Sequence, residues 1–308
     1  MSGSTSSADE LDPESFALLA SVIEKASGIE FGEDARTALA RRLAPRVSAV
    51  SVNSLKEYAA LLASLPAFHA EVQALVELVS IKETYFMRET QQIDAFIAEV
   101  RGTPYGSTRG GSRRLEVGAD PADRVGSHSS GPMPELRRLA IWCAGCSTGE
   151  EPFSIAIQLA EALIDLTKVR IYASDISKKS IEFARRGTYG PSAFRAVSPE
   201  LRAKYFMRGP EGDLVREAIR NTTRFGHGNL LEPGHVIGQM DAIFCRNVLI
   251  YFSQAARRKA VEIFYETLAP GGVLCLGHSE SLLNADTPFE ALSTPAGILY
   301  KKRRRAST

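Results

Sequence analysis

From residue 139 onward the chain alternates short apolar runs with amphipathic helical ones, and that rhythm limits the fold more than any other feature. Strands are expected at 139–144, 169–173, 240–245 and 272–276, with a short last strand at 297–301. Helices are expected between them at 152–166, 178–186 and 253–268. Strands separated by helices need crossover connections, and crossovers build a parallel, doubly wound α/β sheet. Residues 187–224 interrupt the rhythm with short pieces and Gly-Pro turns, as an inserted subdomain would.

The first hundred residues carry no strand pattern. Phe16, Leu19, Val22, Ile23 and Ala26 recur at helical spacing behind Pro13, and Gly28 closes the run. A second helix is expected at 34–48, with Leu39, Leu43 and Val47 on one stripe and Pro45 ending or kinking it. Others follow at 54–65 behind a Ser54 cap, at 67–80 and at 91–101. Residues 13–101 therefore read as an all-α bundle. Residues 102–137 are rich in Gly, Ser, Pro and charge without apolar periodicity, which reads as a flexible linker to an α/β domain over 138–308. The Ser-rich residues 1–12 read as a disordered N-terminus.

Composition removes several function classes. Lys+Arg number 37 and Asp+Glu 36, a net charge of +1, so no global field favours nucleic acid or an anionic membrane. Four cysteines in 308 residues are too few for a disulfide scaffold. No apolar run approaches the ~20 residues of a membrane span, and the polar, acidic start resembles no targeting segment. The expectation is a cytoplasmic protein with reduced thiols, no membrane insertion and no nucleic-acid partner.

The chemistry follows the first strand, in CAGCSTGEEPFSIAI. Ala144, Gly145, Ser147 and Gly149 permit a tight turn and close backbone approach, at the strand end where open sheets bind ligands. The loop lacks G-x-x-x-x-G-K-[ST] and a clean G-x-G-x-x-G. Glu150 and Glu151 stand where a dinucleotide enzyme would seat a pyrophosphate. Their charge opposes a phosphate and suits a cation. S-adenosylmethionine carries a sulfonium, an ammonium and no phosphate. Asp175, in YASDIS at the end of the second strand, is placed to accept hydrogen bonds from two ribose hydroxyls. Taken singly, Glu150 and Glu151 read as an acidic first turn of a helix and Asp175 as an N-cap. Their order and spacing together favour a nucleoside cofactor.

With these residues in view, the chain resembles the chemotaxis receptor methyltransferases (CheR), which transfer methyl from S-adenosylmethionine to receptor glutamates. The family's S-T-G-E-E-P-[YF]-S-I-A stands at 147–156, its F-C-R-N-V-x-I-Y-F at 244–252 and its G-H-S-E-S-L at 277–282. ETYFMRE at 83–89 is similar to its T-x-F-F-R-E segment. The resemblance runs from Pro13 to Arg303 apart from the linker. It implies a Rossmann-like S-adenosylmethionine-dependent methyltransferase sheet, an N-terminal all-α bundle and a small inserted β-subdomain. Carried over position by position, it implies that Thr84, Arg88, Glu150, Asp175, Asn229, Leu230, Arg246 and Asn247 line the cofactor site, with Glu151 an alternative to Glu150. Arg88 and Tyr251 are then expected near the transferring methyl. Two departures stand out: Lys82 where the family often has Asn, and Cys143 and Cys146 where it has small residues.

Carboxylate methylation would need little chemistry from the protein. A glutamate side chain titrates near ~4.3, so the acceptor is already an anionic nucleophile at neutral pH. Arg88 and Tyr251 are therefore assigned to orientation, not proton transfer. On the substrate side, Arg42 and Arg46 stand four residues apart on the second helix, with Arg36 and Arg41 nearby. A solvated face and a contact with the receptor's helical, acidic methylation region both stay open, and the family's basic helix raises the second. The KKRRR run at 301–305 is a looser candidate for the same contact and reads more simply as a solubilising end. His278 reads as a catalytic base or, more simply, as a structural member of its turn. The Cys143/Cys146 pair lacks the further ligands of a zinc site and reads as small buried side chains. In the insert only GPEGD joins Arg208 to Leu214, shorter than in family members that grip a receptor's C-terminal peptide. The expectation is recognition without a peptide tether. Three rivals are carried: a receptor-like scaffold outside chemotaxis as substrate, a nonenzymatic module binding S-adenosylmethionine or S-adenosylhomocysteine, and a nucleic-acid methyltransferase. Arg88, Arg246, Asn247 and Tyr251 oppose the second. Neutral charge and the lack of an Asn/Asp-Pro-Pro-Tyr/Phe motif oppose the third.

Overall fold

The structure, a computed structural model, describes residues 11–101, 138–232, 234, 238–283, 285–295 and 297–303. The expected linker at 102–137, residues 1–10 of the expected disordered N-terminus and the last residues of the KKRRR run lie outside them.

Helix α1 (Pro13–Ser27) begins where the Asp12 side chain accepts the Ser15 amide and ends at Gly28, left-handed at φ 80°. It packs with α2 (Arg36–Ala49), α3 (Leu55–Ser64) and α4 (Ala70–Val79) around Leu19, Ile23, Leu43, Tyr58 and Leu75. Pro45 does not end α2, which runs on to Ala49. Proline forfeits one backbone bond but has a helical φ, and the buried stripe of Leu39 and Leu43 holds the helix through it. Helix α5 (Thr90–Val100), expected in the bundle, packs on the sheet instead. Its Phe96 ring meets Phe244 edge-on at 5.4 Å.

The second region runs through β1 (Leu139–Ala144), α6 (Glu150–Glu161), β2 (Val169–Asp175) and α7 (Lys178–Arg186). The insert follows as β3 (Thr188–Tyr189), α8 (Pro199–Tyr205), β4 (Phe206–Gly209), β5 (Gly212–Val215) and α9 (Glu217–Arg220). Then come β6 (Thr223–His227), β7 (Met240–Cys245), α10 (Gln254–Thr267), β8 (Leu268–Leu276), β9 (Phe289–Thr294) and β10 (Gly297–Lys302). The main sheet has the order β6-β2-β1-β7-β8-β10-β9, and the insert forms a separate sheet, β3-β5-β4. Three expectations are corrected here. The main sheet is mixed, because β10 runs antiparallel to β8 and β9. The turn between β9 and β10 is too short for a crossover helix, so those two strands can pair only as a hairpin. Strands β6 and β9 were not anticipated. Thr223 and Arg224 belong to β6 and not to the insert.

Successive residues of β1 enter opposite cores, Ile141 and Cys143 on one face and Trp142 and Ala144 on the other. Burial on both faces is why this strand reads as continuously apolar. The bundle is fastened to the sheet by main chain: the Glu30 amide donates to Tyr251 O (2.8 Å), and the Ser253 amide to Gly28 O (3.0 Å). Lys301 and Lys302 are structural and not a loose end. Lys301 pairs with Glu99, and Lys302 Nζ donates to the carbonyls of Tyr265 and Leu268.

Candidate active site

A cavity of about 330 Å³ opens at the carboxyl ends of β1, β2 and β7, where the bundle meets the sheet. That is the topological switch point at which open α/β sheets bind ligands. After β1 the amides of Gly145 and Cys146 both donate to Ser174 O, at 2.8 and 2.9 Å. Gly145 is left-handed at φ 79°, and a Cβ there would lie 2.6 Å from Val248 Cγ2. Only glycine fits.

Asp175 lines the cavity at the end of β2. Its carboxylate accepts the Ser147 amide and the Ser177 amide, both at 2.8 Å. Burial raises its pKa, against the pull of those two hydrogen bonds. The second acid that faces the cavity is Glu151 and not Glu150. Glu150 is 4% exposed and its carboxylate turns to Thr148 Oγ1 at 2.7 Å. Neighbouring residues on a helix point about 100° apart, so the two cannot share one cavity face. Burial raises the pKa of both, and for Glu151 the Arg246 guanidinium works against the rise.

Arg246 follows β7 with a side chain only 2% exposed. It donates to Glu151 (3.2 Å), to the Arg88 carbonyl (2.7 Å) and to the Glu89 carbonyl (3.1 Å). One guanidinium thus ties α6, the 83–89 segment and β7 together. Asn247 lines the cavity in a left-handed conformation, φ 59°. Behind it Glu280 accepts the amides of Gly277 (2.7 Å), Asn247 (2.8 Å) and Val248 (2.9 Å). The acid of the G-H-S-E turn therefore shapes the site from outside it. His278 lies beside Glu89, its Nδ1 2.9 Å from Oε1, and is not among the cavity's lining residues.

Thr84, Arg88, Asn229, Leu230 and Tyr251 all line the cavity. Arg88 donates to Glu83 O at 3.1 Å. Asn229 donates to Ala26 O at 2.9 Å and accepts the Leu231 amide, so its side chain joins β6's end to the bundle. Lys82 turns away to Glu77 on α4 (2.5 Å), whose carboxylate also accepts the Ser177 hydroxyl at 2.6 Å and thereby reaches the N-cap of α7.

The two arginines of α2 part company. Arg42 lines the cavity. Arg46 does not: it pairs with Glu71 on α4, which also accepts the Tyr58 hydroxyl at 2.6 Å. Arg46 thus braces the bundle from within, with 30% of its side chain still exposed. Burial works against the Glu71 carboxylate, but hydrogen bonds from Arg46 and Tyr58 outweigh it and hold its pKa low. All four cysteines are buried free thiols, and burial pushes the pKa values of Cys143 and Cys146 well up. Among the described residues no group of three or more side chains is arranged to hold a metal.

The sequence left the bundle's share of the site unread: Ile29, Phe31, Leu39 and Val79 line the cavity too. Gly28, which turns the chain toward the sheet, was the available signal. Ser147 was noted only for its size. Its Oγ is buried without a partner, as is Arg246 Nε, and both residues line the cavity. The partly buried acids Glu151 and Asp175 suit a ligand bearing hydroxyl groups and positive charge, and the unpaired Ser147 Oγ and Arg246 Nε–H are free to bond a ligand's acceptor atoms; S-adenosylmethionine, with its ribose, sulfonium, ammonium and carboxylate, offers all of these.

A mixed sheet with one antiparallel strand, β10, set between β8 and the edge strand β9, an acid ending β2 and no phosphate cradle after β1 is the arrangement of an S-adenosylmethionine-dependent methyltransferase. Residues 121–298 match the family profile described as "CheR methyltransferase, SAM binding domain", and residues 14–80 match "CheR methyltransferase, all-alpha domain". The chain belongs to the CheR methyltransferase family. It is 33% identical to Chemotaxis protein methyltransferase 2 of Vibrio cholerae, over 92% of this chain and 87% of that one. It is 32% identical to the chemotaxis protein methyltransferase of Salmonella typhimurium, over 94% and 91% of the two chains. It is 30% identical to the probable biofilm formation methyltransferase WspC of Pseudomonas aeruginosa, over 91% of this chain and 60% of that one. No described helix is long and apolar enough to cross a membrane.

Proposed function

We propose that the protein methylates glutamate side chains of chemoreceptors in the cytoplasm, giving glutamate methyl esters and S-adenosylhomocysteine. The supporting observation is the polarity of the cavity: the half-buried Glu151 and Asp175 face it from the sheet, and Arg42 and Arg88 line it beside the bundle. The acids suit a cationic cofactor and the guanidiniums an anionic acceptor. When bound, S-adenosylmethionine supplies a methyl group already activated by its sulfonium. The acceptor carboxylate oxygen forms its bond to the methyl carbon as the carbon–sulfur bond breaks, and no proton moves. Asp175 holds the ribose hydroxyls, Thr84, Asn229, Leu230, Arg246 and Asn247 complete the cofactor's walls, and Arg88 and Tyr251 orient the acceptor. Alignment and exclusion of water are then the main catalytic devices, worth as much as ~7–11 kcal/mol in favourable cases.

Arg42 serves the acidic methylation helices as an electrostatic guide. Only Pro210 and Glu211 separate β4 from β5, which leaves little edge to receive a peptide strand, so recognition proceeds without a C-terminal tether. Titration with receptor C-terminal peptides checks this, and saturable micromolar binding would refute it. The function itself is tested with tritiated cofactor and a purified receptor, followed by base. Carboxylate methyl esters release methanol, and its absence would sink the proposal. The likeness to WspC favours one second reading, a receptor-like scaffold outside chemotaxis, which the same assay tests with receptors uncoupled from motility.

A further inference from the structure

Arg195 closes the short helical turn Pro191–Phe194 of the inserted subdomain. That turn is bound to the segment carrying Arg88, since the Phe86 amide donates to Ala193 O at 2.9 Å. The Arg195 guanidinium lies 3.7 Å from the centroid of the Tyr85 ring. The Arg88 guanidinium lies 5.8 Å from the same centroid. Tyr85 and Arg88 line the cavity, so one aromatic ring links a guanidinium of the site to one just outside it. Arg195 has a carboxylate partner, Glu83, at 3.1 Å, but the pair is open to water: the side chains are 49% and 71% exposed. Such a pair is weak and exchangeable. The contact with the Tyr85 ring holds the guanidinium in place whether or not Glu83 is bound.

We propose that Arg195 is a specificity determinant for the methyl acceptor, binding a second substrate carboxylate beside the glutamate being methylated, with Glu83 occupying its place until substrate arrives. The proposal rests on the reading of the substrate as an acidic helix. Carboxylates three or four residues apart share one helix face. A helix that offers one glutamate to Arg88 therefore carries a neighbour along the same face, about one ~5.4 Å turn away. Both guanidiniums lie close to one ring, within reach of carboxylates on adjacent turns of such a helix, and Arg195's planar fork suits bidentate capture of a carboxylate.

The test is the KM for a purified chemoreceptor cytoplasmic fragment, read by tritiated methyl ester formation. Arg195→Ala is expected to raise that KM about fivefold, the scale of an exposed ion pair. Glu83→Gln is expected to lower it, because the internal competitor is gone. Arg195→Lys falls between wild type and Arg195→Ala, keeping charge and losing the fork. The dissociation constant for S-adenosylhomocysteine stays at the wild-type value in all three. A receptor fragment whose acidic residues flanking the acceptor are neutralised should erase the difference between wild type and Arg195→Ala. A merely structural ion pair would move the Arg195 and Glu83 variants in the same direction, and that result overturns the proposal. So does an Arg195→Ala difference that persists on the neutralised receptor, or no difference on the acidic one. Wild-type enzyme that forms no methyl ester on the receptor overturns the functional reading, and this proposal with it.

Discussion

The helical bundle and the rim of the cavity are built on opposite principles. Along α1–α4 the described backbone turns left-handed only at Gly28 and Ser51. The bundle's inward polar group, Arg46–Glu71–Tyr58, is mutually satisfied. Around the cavity Met87, Glu89, Ser147 and Asn247 are all non-glycine residues at φ between 48° and 62°. Each such residue costs on the order of 1–3 kcal/mol. Buried Ser147 Oγ and Arg246 Nε stand unpaired beside them. The bundle spends its contacts on stability. The rim holds backbone and polar atoms in costly positions, braced by Glu280 and Arg246, so that they are already aimed before a ligand arrives.

The largest way to break that contrast is Gly145→Val. A β-branched residue at φ 79° with its Cβ 2.6 Å from Val248 Cγ2 should cost more than about 3 kcal/mol. Thermal unfolding will show a collapse of the sheet's stability, and calorimetry a loss of cofactor binding. Asp175→Ala should weaken cofactor binding by roughly 1.5–3 kcal/mol, since two hydroxyls lose a charged acceptor. Because burial raises the Asp175 pKa above 3.8, that acceptor is discharged early as pH falls. Wild-type affinity should therefore drop in acid through the raised pKa, and the alanine variant should lack this step. Arg88→Ala should lower turnover at least about tenfold, ~1.4 kcal/mol, with a much smaller change in cofactor affinity. Equal loss of both would make Arg88 a cofactor residue only.

The bundle should answer differently. Glu71→Gln is expected to destabilise it by about 1 kcal/mol at neutral pH, leaving receptor KM unchanged. The Glu71 pKa is lowered in the fold, so its contribution is present above the ordinary 4.5 and disappears as pH falls through the folded value. Wild type and variant should converge in acid denaturation. Arg42→Ala makes the smallest change, raising receptor KM by no more than the ~1 kcal/mol of an exposed charge pair while unfolding like wild type.

What could be read in advance follows the same division. Strands β1 and β7 were legible to the residue because both faces are buried, which leaves a continuous apolar run. Strands β6 and β9 sit at the sheet's edges, and their half-polar TRFGH and FEALST look like loop. The apolar stripe of α5 was visible, but its partner was not, because Phe244 lies far along the chain. The acids after β1 were visible as a pair. Which of them faces the ligand depends on helix phase and on Arg246, ninety-five residues away. Arg46 looked free because its partner Glu71 belongs to another helix.

The contact of Glu77 with Ser177 and Lys82 bears on inheritance. The two family profiles cover the bundle and the sheet as separate modules, and residues 81–101, with Thr84 and Arg88, fall between them. Yet the hydroxyl that caps the sheet's helix α7 is itself held by a carboxylate from the bundle's α4. A chimera joining this sheet to a relative's bundle would need an acid at position 77 and a compatible residue at 82 to keep that cap. The modules are therefore matched parts, and substitutions at these three positions are best made, and best selected, together.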